Sequence, residues 1–163
     1  MKQYMLLHRT GGDPPVACPR TYHIMDLSKK QFLPESVIDS SMLGIEVFDC
    51  LEYLPEEILP ELCKKIGSGG QLKIRGVDIF ESVKNILSAK MTPSEASKVV
   101  FNGKVRCHSV HELCENLQRN NFQVTFSGIS GVNYIIEATK KSSTNYIQVA
   151  ETVLLPNIQK EHR

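Results

Sequence analysis

The stretch IEVFDCLEYLPEEILPELCKKIGSGGQLKIRG, residues 45–76, decides the fold, because it contains a strand, a helix and a second strand in close succession. Ile45, Val47 and Phe48 supply the apolar body of a buried strand. The helix is expected to begin near Ile58, which puts Pro60 in the first turn, where its missing N–H costs little. Two strands joined by a helix predict a parallel pair in an open α/β sheet.

The ends of these elements carry two distinctive features. Asp49 and Glu52 come just after the strand that ends at Phe48. In open α/β sheets, ligands bind at the carboxyl ends of the strands. Gly67 is predicted to end the helix, and Gly69–Gly70 to form the turn that leads into the next strand. The acids are therefore candidates for contact with a ligand.

Two further strands are predicted before this stretch. KQYMLLHR, residues 2–9, leads to the pair Gly11 and Gly12, and TYHIMDL, residues 21–27, ends around Asp26. The segment between them contains three prolines, which remove backbone donors and exclude a helix there.

Three helices and a hairpin are predicted after it. Residues with capping-box spacing mark three helix starts: Asp78 with Glu81, Thr92 with Glu95, and Ser109 with Glu112. The helices are expected over 79–88, 93–100 and 110–120. FQVTFSGIS and NYIIEATKK alternate as antiparallel strands do, with Gly128–Val132 as the connection.

This order predicts an α/β domain over residues 1–141, with a mostly parallel sheet and an antiparallel hairpin at its carboxyl end. Residues 142–163 are predicted to form a tail with one short helix near 146–154, and the tail is a candidate for contact with a protein partner. The sequence predicts no oligomeric state.

Composition excludes several classes of function. The chain has 163 residues and a net charge of +1, so it lacks the basic surface of a nucleic-acid-binding protein. No apolar run reaches the ~20 residues that a membrane helix needs. Five cysteines, with no CxxC pair, favour reduced thiols and a cytoplasmic location. The spacing of CHSVHELC, residues 107–114, matches no zinc pattern, so no metal is predicted.

The segments LLHRTGG, YHIMDL, VFDCLEYLP, KKIGSGGQLKI and NFQVTFSGISGVNYIIEATK occur in an order that resembles class I S-adenosylmethionine-dependent methyltransferases. The resemblance covers about residues 4–140 and is closest to short forms with a reduced amino-terminal half. It implies a Rossmann-like methyltransferase fold and S-adenosylmethionine as cofactor.

The resemblance also implies a set of cofactor-binding residues: Gly11, Gly12, Asp26, Asp49, Cys50 and Glu52. The two glycines would let the backbone approach the methionine part of the cofactor, because they have no Cβ. Asp26 would accept hydrogen bonds from the ribose hydroxyls, as the corresponding acid does in dinucleotide folds. The other three would lie beside the methyl group, with the acceptor unknown and no general base assigned.

Two departures from the family pattern keep a second interpretation open. Two adjacent glycines replace the usual G-x-G-x-G, preceded by Arg9 where a small residue is usual, and a proline-rich loop replaces the supporting helix. The segment between Asp26 and Phe48 is too short for the usual helix, strand and helix. The alternative is a pseudoenzyme, a non-catalytic structural or partner-binding subunit of a larger assembly, such as a virus particle, that keeps the methyltransferase fold. A dinucleotide-binding oxidoreductase is excluded, because no G-x-G-x-x-G follows the first strand.

Overall fold

The computed structural model describes residues 3–9, 22–26, 37–100 and 104–142 of the chain. Among the described residues, three strands come first, one helix joins the third strand to the fourth, and three helices then precede a terminal hairpin. The elements are β1 (Gln3–His8), β2 (Tyr22–Asp26), β3 (Met42–Phe48), α1 (Ile58–Lys65), β4 (Ile66–Val77), α2 (Ile79–Leu87), α3 (Pro93–Val100), α4 (Val110–Arg119), β5 (Phe122–Ser130) and β6 (Asn133–Lys140). A short 3-10 turn, Leu51–Tyr53, lies between β3 and α1.

The six strands form one mixed sheet in the order β2-β1-β3-β4-β6-β5. The first four pair in parallel, and β6 and β5 add an antiparallel pair. The predicted α/β class, the mostly parallel sheet and the terminal antiparallel hairpin are therefore confirmed. The sheet is Rossmann-like, as the resemblance implied.

The register of the central strands brings their carboxyl ends to one edge. His8 at the end of β1 lies opposite both Asp26 of β2 and Phe48 of β3, and Phe48 lies opposite Arg75 of β4. We refer to this edge, formed by the carboxyl ends of β1, β2, β3 and β4, as the carboxyl edge. Any ligand bound in the manner of open α/β sheets would lie here.

The core packs on one face of the sheet. Leu59 and Leu62 form an apolar stripe on α1, and Leu113 and Leu117 form one on α4. All four are buried in one cluster with the inward side chains of the strands. β4 alternates buried Leu72 and Ile74 with exposed Gln71 and Lys73, so it is apolar towards the helices and polar on its other face.

The helix starts agree with the capping chemistry. Asp78 accepts from the N–H of Glu81 at 2.9 Å, and Ser109 accepts from the N–H of Glu112 at 3.2 Å. Thr92 and Glu95 form the complete reciprocal box, with distances of 2.8 Å and 3.2 Å between backbone nitrogens and side-chain oxygens. Each pair satisfies donors that the first turn of a helix leaves open.

The predicted glycine turn between α1 and β4 is wrong. α1 ends at Lys65 and the chain continues directly as strand from Ile66, so Gly67–Gly70 lies inside β4. There the pairing with β3 shifts, and Gly69 adopts φ +75°. A Cβ on Gly70 would stand 2.6 Å from the Ile66 side chain, so the glycines allow a bulge with close backbone packing.

The hairpin connection is also shorter than predicted. Gly128 belongs to β5, and the turn consists of Gly131, with φ +63°, and Val132. The helix expected near 146–154, and the whole tail after Ser142, lie outside the described residues.

Candidate functional site

Asp26 and Asp49 are the predicted site residues that the register brings to the carboxyl edge. Asp26 is the last residue of β2 and is 4% exposed. Asp49 follows the last residue of β3, and its side chain is 44% exposed. β1 lies between these two strands and ends at His8, so both acids flank the end of β1. The two glycines themselves lie outside the described residues.

The backbone at Asp49 adopts a left-handed conformation, with φ +50°. Its N–H donates to the carbonyl of Arg75 at 3.0 Å, and its Oδ1 lies 3.4 Å from Arg75 Nε. Burial raises the pKa of the Asp49 carboxyl, although the charge of Arg75 acts in the opposite direction. A non-glycine residue in this region carries backbone strain, which is often found at ligand sites.

Cys50 lies on the inner side of this edge. Its side chain is fully buried in the core cluster. Burial raises the pKa of the thiol to about 12, so the group stays neutral and is a poor nucleophile. The Cys50 side chain therefore packs in the core, and its role as a cofactor-binding residue stays a prediction.

Glu52 is also buried, and it links three segments. Only 1% of the residue is exposed, and its Oε1 accepts from the N–H of Val77 at 3.1 Å. Its backbone carbonyl accepts from the N–H groups of Val105 and Arg106 at 2.9 Å and 3.3 Å. In this conformation, Glu52 holds the end of β3 against the end of β4 and the segment before α4.

Tyr134 accompanies Glu52 in the interior, and its role was not predicted. It lies opposite Gly76 in the β4–β6 pair, and a Cβ at Gly76 would stand 2.6 Å from its hydroxyl. Burial is the main reason that the pKa of Tyr134 is raised well above its usual value, and the nearby Glu52 carboxylate adds to the shift. The phenol is therefore neutral at physiological pH.

Two arginines stacked on aromatic rings were likewise not predicted as site residues. The guanidinium of Arg9, one residue after β1, lies 3.9 Å from the ring centroid of Tyr53. The guanidinium of Arg75 lies 4.5 Å from the ring centroid of Phe48. Both stacks lie at the carboxyl edge, and Arg75 also places its positive charge beside Asp49. Only the strand register, and no local sequence pattern, indicates these pairs.

The described residues include no group of histidine, cysteine and carboxylate side chains that could hold a metal ion. The imidazole of His111 is exposed and pairs with Glu115 at 3.2 Å, whereas the thiol of Cys107 lies 3.9 Å from the carbonyl of Val100. The four cysteines of the described ranges, Cys50, Cys63, Cys107 and Cys114, are free thiols. No helix in these ranges is long and apolar enough to cross a membrane.

Comparison with known proteins gives structural matches. No family model and no curated protein sequence matches the chain. A chain of the complex between the Haloferax volcanii methyltransferase activator Trm112 and a protein described as a methyltransferase matches with a TM-score of 0.51 and 10% identity, over 74% of this chain and 61% of that one. At this identity, the match supports the fold alone.

Two other solved structures match with a TM-score of 0.49. A SAM-dependent methyltransferase from Thermotoga maritima is 20% identical over 74% of this chain and 63% of that one. A geranyl diphosphate C-methyltransferase from Streptomyces coelicolor, solved with S-adenosyl-L-homocysteine, is 8% identical over 74% of this chain and 53% of that one. The chain thus spans less than two thirds of the length of these three proteins.

Proposed function

We propose that this protein binds S-adenosylmethionine at the carboxyl edge and is a methyltransferase-like protein of unknown acceptor. The observation that carries the proposal is the register that sets Asp26 at the end of β2, directly beside the end of β1. In sheets of this topology, an acid at that place is positioned to accept hydrogen bonds from ribose hydroxyls. The methyltransferase fold of the neighbouring structures supports the same ligand.

The proposed contacts divide along the edge. Asp26 would hold the ribose, and the backbone at Gly11 and Gly12 would approach the methionine part of the cofactor. Asp49, half exposed at the end of β3, would face the reacting end. When bound, the cofactor would supply an activated methyl group, and the chain would contribute orientation and proximity, which can account for much of the rate of such a transfer.

Cys50 and Glu52 would contribute to the site by supporting the carboxyl edge from the core. The buried thiol packs in the core, and the Glu52 carboxylate is held by the N–H of Val77. These two residues would therefore shape the edge from inside, and any cofactor contact from their side chains would first require this packing to open. A cytoplasmic location stays a prediction from the cysteines.

One observation favours the second candidate, a non-catalytic partner-binding or structural subunit. The long side chain of Arg9 stacks on Tyr53 across the carboxyl edge, where methyltransferases usually have a small residue. A guanidinium at that place narrows the space available to a cofactor. The tail from residue 142 remains the predicted partner contact for this candidate.

Calorimetric titration with S-adenosylhomocysteine tests the proposal. We expect binding by the full chain, weakened about 10- to 100-fold by Asp26→Asn, because a charged hydrogen-bond acceptor is lost. Asp39→Asn is the matched control, since Asp39 is an exposed acid that pairs with Lys65 away from the edge. No heat and no thermal stabilisation of the wild type at millimolar ligand would overturn the proposal. Equal affinity of wild type and Asp26→Asn would overturn the ribose role.

A further inference from the structure

β5 forms an outer edge of the sheet, and beyond the register shift between Val124 and Phe126 it lacks the charges and prolines that protect many edge strands. It is nine residues long, reads FQVTFSGIS, and contains neither a charged side chain nor a proline. Its partner β6 occupies one side, and no described strand pairs with the other. Exposed edges of soluble proteins usually carry lysine, proline or other devices that prevent pairing with a second chain. β5 is therefore an open template for strand addition.

Apolar side chains are exposed on both faces of this strand. Phe126 is 52% exposed and Ile129 is 47% exposed. They lie on opposite faces, because Phe126 pairs with Glu137 of the polar face and Ile129 with Tyr134 of the core face. The ring of Phe126 lies over Gly128, with Cζ 2.9 Å from the position a Cβ would occupy. Burial of the core face of the sheet does not account for these two side chains, because Phe126 lies on the polar face and Ile129 is still exposed on the core face.

The neighbouring surface extends the apolar area. A shallow groove of about 450 Å³ runs between the start of α2, α4 and β5, and both Phe80 and Ile129 line it. From there Phe80, Val83 and Leu87 form an exposed stripe at i, i+3 and i+7 along α2. Contiguous exposed apolar surface of this kind marks contact with another macromolecule.

The charge pattern of the sheet permits β5 to pair with β5 of a second copy. The interior strands β4 and β6 carry paired charges, such as Lys73 with Glu137 at 2.7 Å, whereas the edge strand carries none. Like charges opposite each other destabilise a strand pair, so a strand without charge can pair with its own copy free of repulsion. A two-fold axis perpendicular to the sheet sets two copies of one edge strand antiparallel and makes the contact between them isologous.

We propose that β5 pairs antiparallel with β5 of a second copy of this chain, joining two six-stranded sheets into one continuous sheet across a two-fold axis. The regular part of the strand, Phe126–Ser130, follows the register shift near Val124 and is the segment available for pairing. The contact covers Phe126 and Ile129 in both copies. Because both copies use the same strand in this contact, it is isologous and the assembly closes as a dimer.

The test places one charge in this edge. Ser127→Lys introduces a lysine at an exposed position of β5, and Ser94→Lys adds the same charge at an exposed position of α3. Light scattering of the full chain over a wide concentration range should show a dimer for the wild type and for Ser94→Lys. We expect the dimer dissociation constant of Ser127→Lys to be at least about tenfold higher. Phe126→Ala should weaken the dimer as well, and circular dichroism should report the same fold for all variants.

Hydrogen exchange distinguishes a β5 edge covered by a second copy from one covered by another segment of the same chain. In a dimer formed through β5, amide protection of Phe126–Ser130 should fall when the wild type is diluted, while protection of β3 should stay constant. A wild type that is monomeric at every concentration overturns the proposal. A dimer that both β5 variants leave intact overturns it as well, and so do larger open-ended assemblies. Protection of β5 that does not depend on concentration contradicts it, because a segment of the same chain would then cover the edge.

Discussion

Arg9 is the residue whose contact separates the two candidate functions most directly. Its guanidinium stacks on Tyr53 at the carboxyl edge, 3.9 Å from the ring centroid. If the cofactor binds as proposed, this cation is placed to meet an anionic group of the ligand, such as the carboxylate of its methionine part. If the site has been lost, the same side chain occupies the space of that group.

Arg9→Ala should therefore weaken binding of S-adenosylhomocysteine about tenfold or more and leave binding of methylthioadenosine, which lacks the amino-acid carboxylate, unchanged. Calorimetry with both ligands measures the difference. Arg119→Ala is the control, because Arg119 pairs with Glu115 on the exposed face of α4. Tighter binding of both ligands to the variant would show instead that Arg9 fills the site.

Variants of Glu52 test whether this predicted site residue stabilises the fold through its buried hydrogen bond. Glu52→Ala removes the acceptor for the buried N–H of Val77 and should lower the free energy of unfolding by about 1–3 kcal/mol. Glu52→Gln keeps an oxygen acceptor of the same length, so its loss should be clearly smaller. Urea unfolding of both variants measures this order. Equal losses would mean that the charge of Glu52, and not its acceptor oxygen, stabilises the edge.

These residues also show where sequence reasoning stops. The position of Asp26 at the carboxyl edge was predictable, because the end of a strand in a parallel sheet fixes the edge on which a residue lies. The contact between Arg9 and Tyr53 was not, because it joins residues far apart in the chain and depends on the register. The burial of Glu52 was not predictable either, because it depends on contacts with residues far along the chain. An acid that follows a strand is usually solvated.

At the scale of elements, Asp78 joins two helices. Its Oδ1 caps α2 through the N–H of Glu81 at 2.9 Å, and its Oδ2 accepts from the N–H of Val110, the first residue of α4, at 2.8 Å. The residue is buried, so its loss leaves two donors without a partner and water has little access to replace it.

Asp78→Ala should therefore lower the free energy of unfolding by about 2–4 kcal/mol, against about 1 kcal/mol for Thr92→Ala, which removes an exposed cap of α3. Urea unfolding provides both values under one set of conditions. Similar losses for the two variants would mean that the bond to Val110 adds little to the stability of the helix pair.

The element boundaries show why caps are predictable and glycines are not. Ser109 with Glu112 gave the start of α4 correctly, because the bond between them is local and depends on three-residue spacing. Gly69–Gly70 was interpreted as a turn, yet it forms a bulge in β4. Both structures need the same freedom from a Cβ, and only the neighbouring strand decides between them.

For the whole molecule, the predicted sheet was correct because its pattern is redundant. The strand periods, the α1 stripe and the antiparallel hairpin each indicate the same architecture, so an error in one glycine turn does not change the fold. A binding site has no such redundancy. It depends on a few side chains, and Gly11 and Gly12 lie outside the described residues. The fold could therefore be predicted from the sequence in more detail than the binding site.

The core contains two buried thiols and one buried phenol that are neutral at physiological pH. Burial raises the pKa of Cys50 and of Cys63 to about 12, from the ordinary value of 9.0, and raises that of Tyr134 well above 10.0. In the unfolded chain these groups ionise at their ordinary values. Above about pH 9 the folded state therefore holds more protons than the unfolded state, and stability falls as pH rises.

We expect the free energy of unfolding to be unaffected by these three groups below pH 8 and to decrease steadily between about pH 9 and pH 12. Each group contributes a slope of up to about 1.4 kcal/mol per pH unit while only its unfolded form is ionised. Cys63→Ala should reduce that slope by the share of one thiol, whereas Ser94→Ala, on the exposed surface of α3, should leave it unchanged. Urea unfolding at a series of alkaline pH values measures both slopes. Identical slopes for the wild type and Cys63→Ala would mean that this thiol ionises as readily in the folded protein as in the unfolded chain.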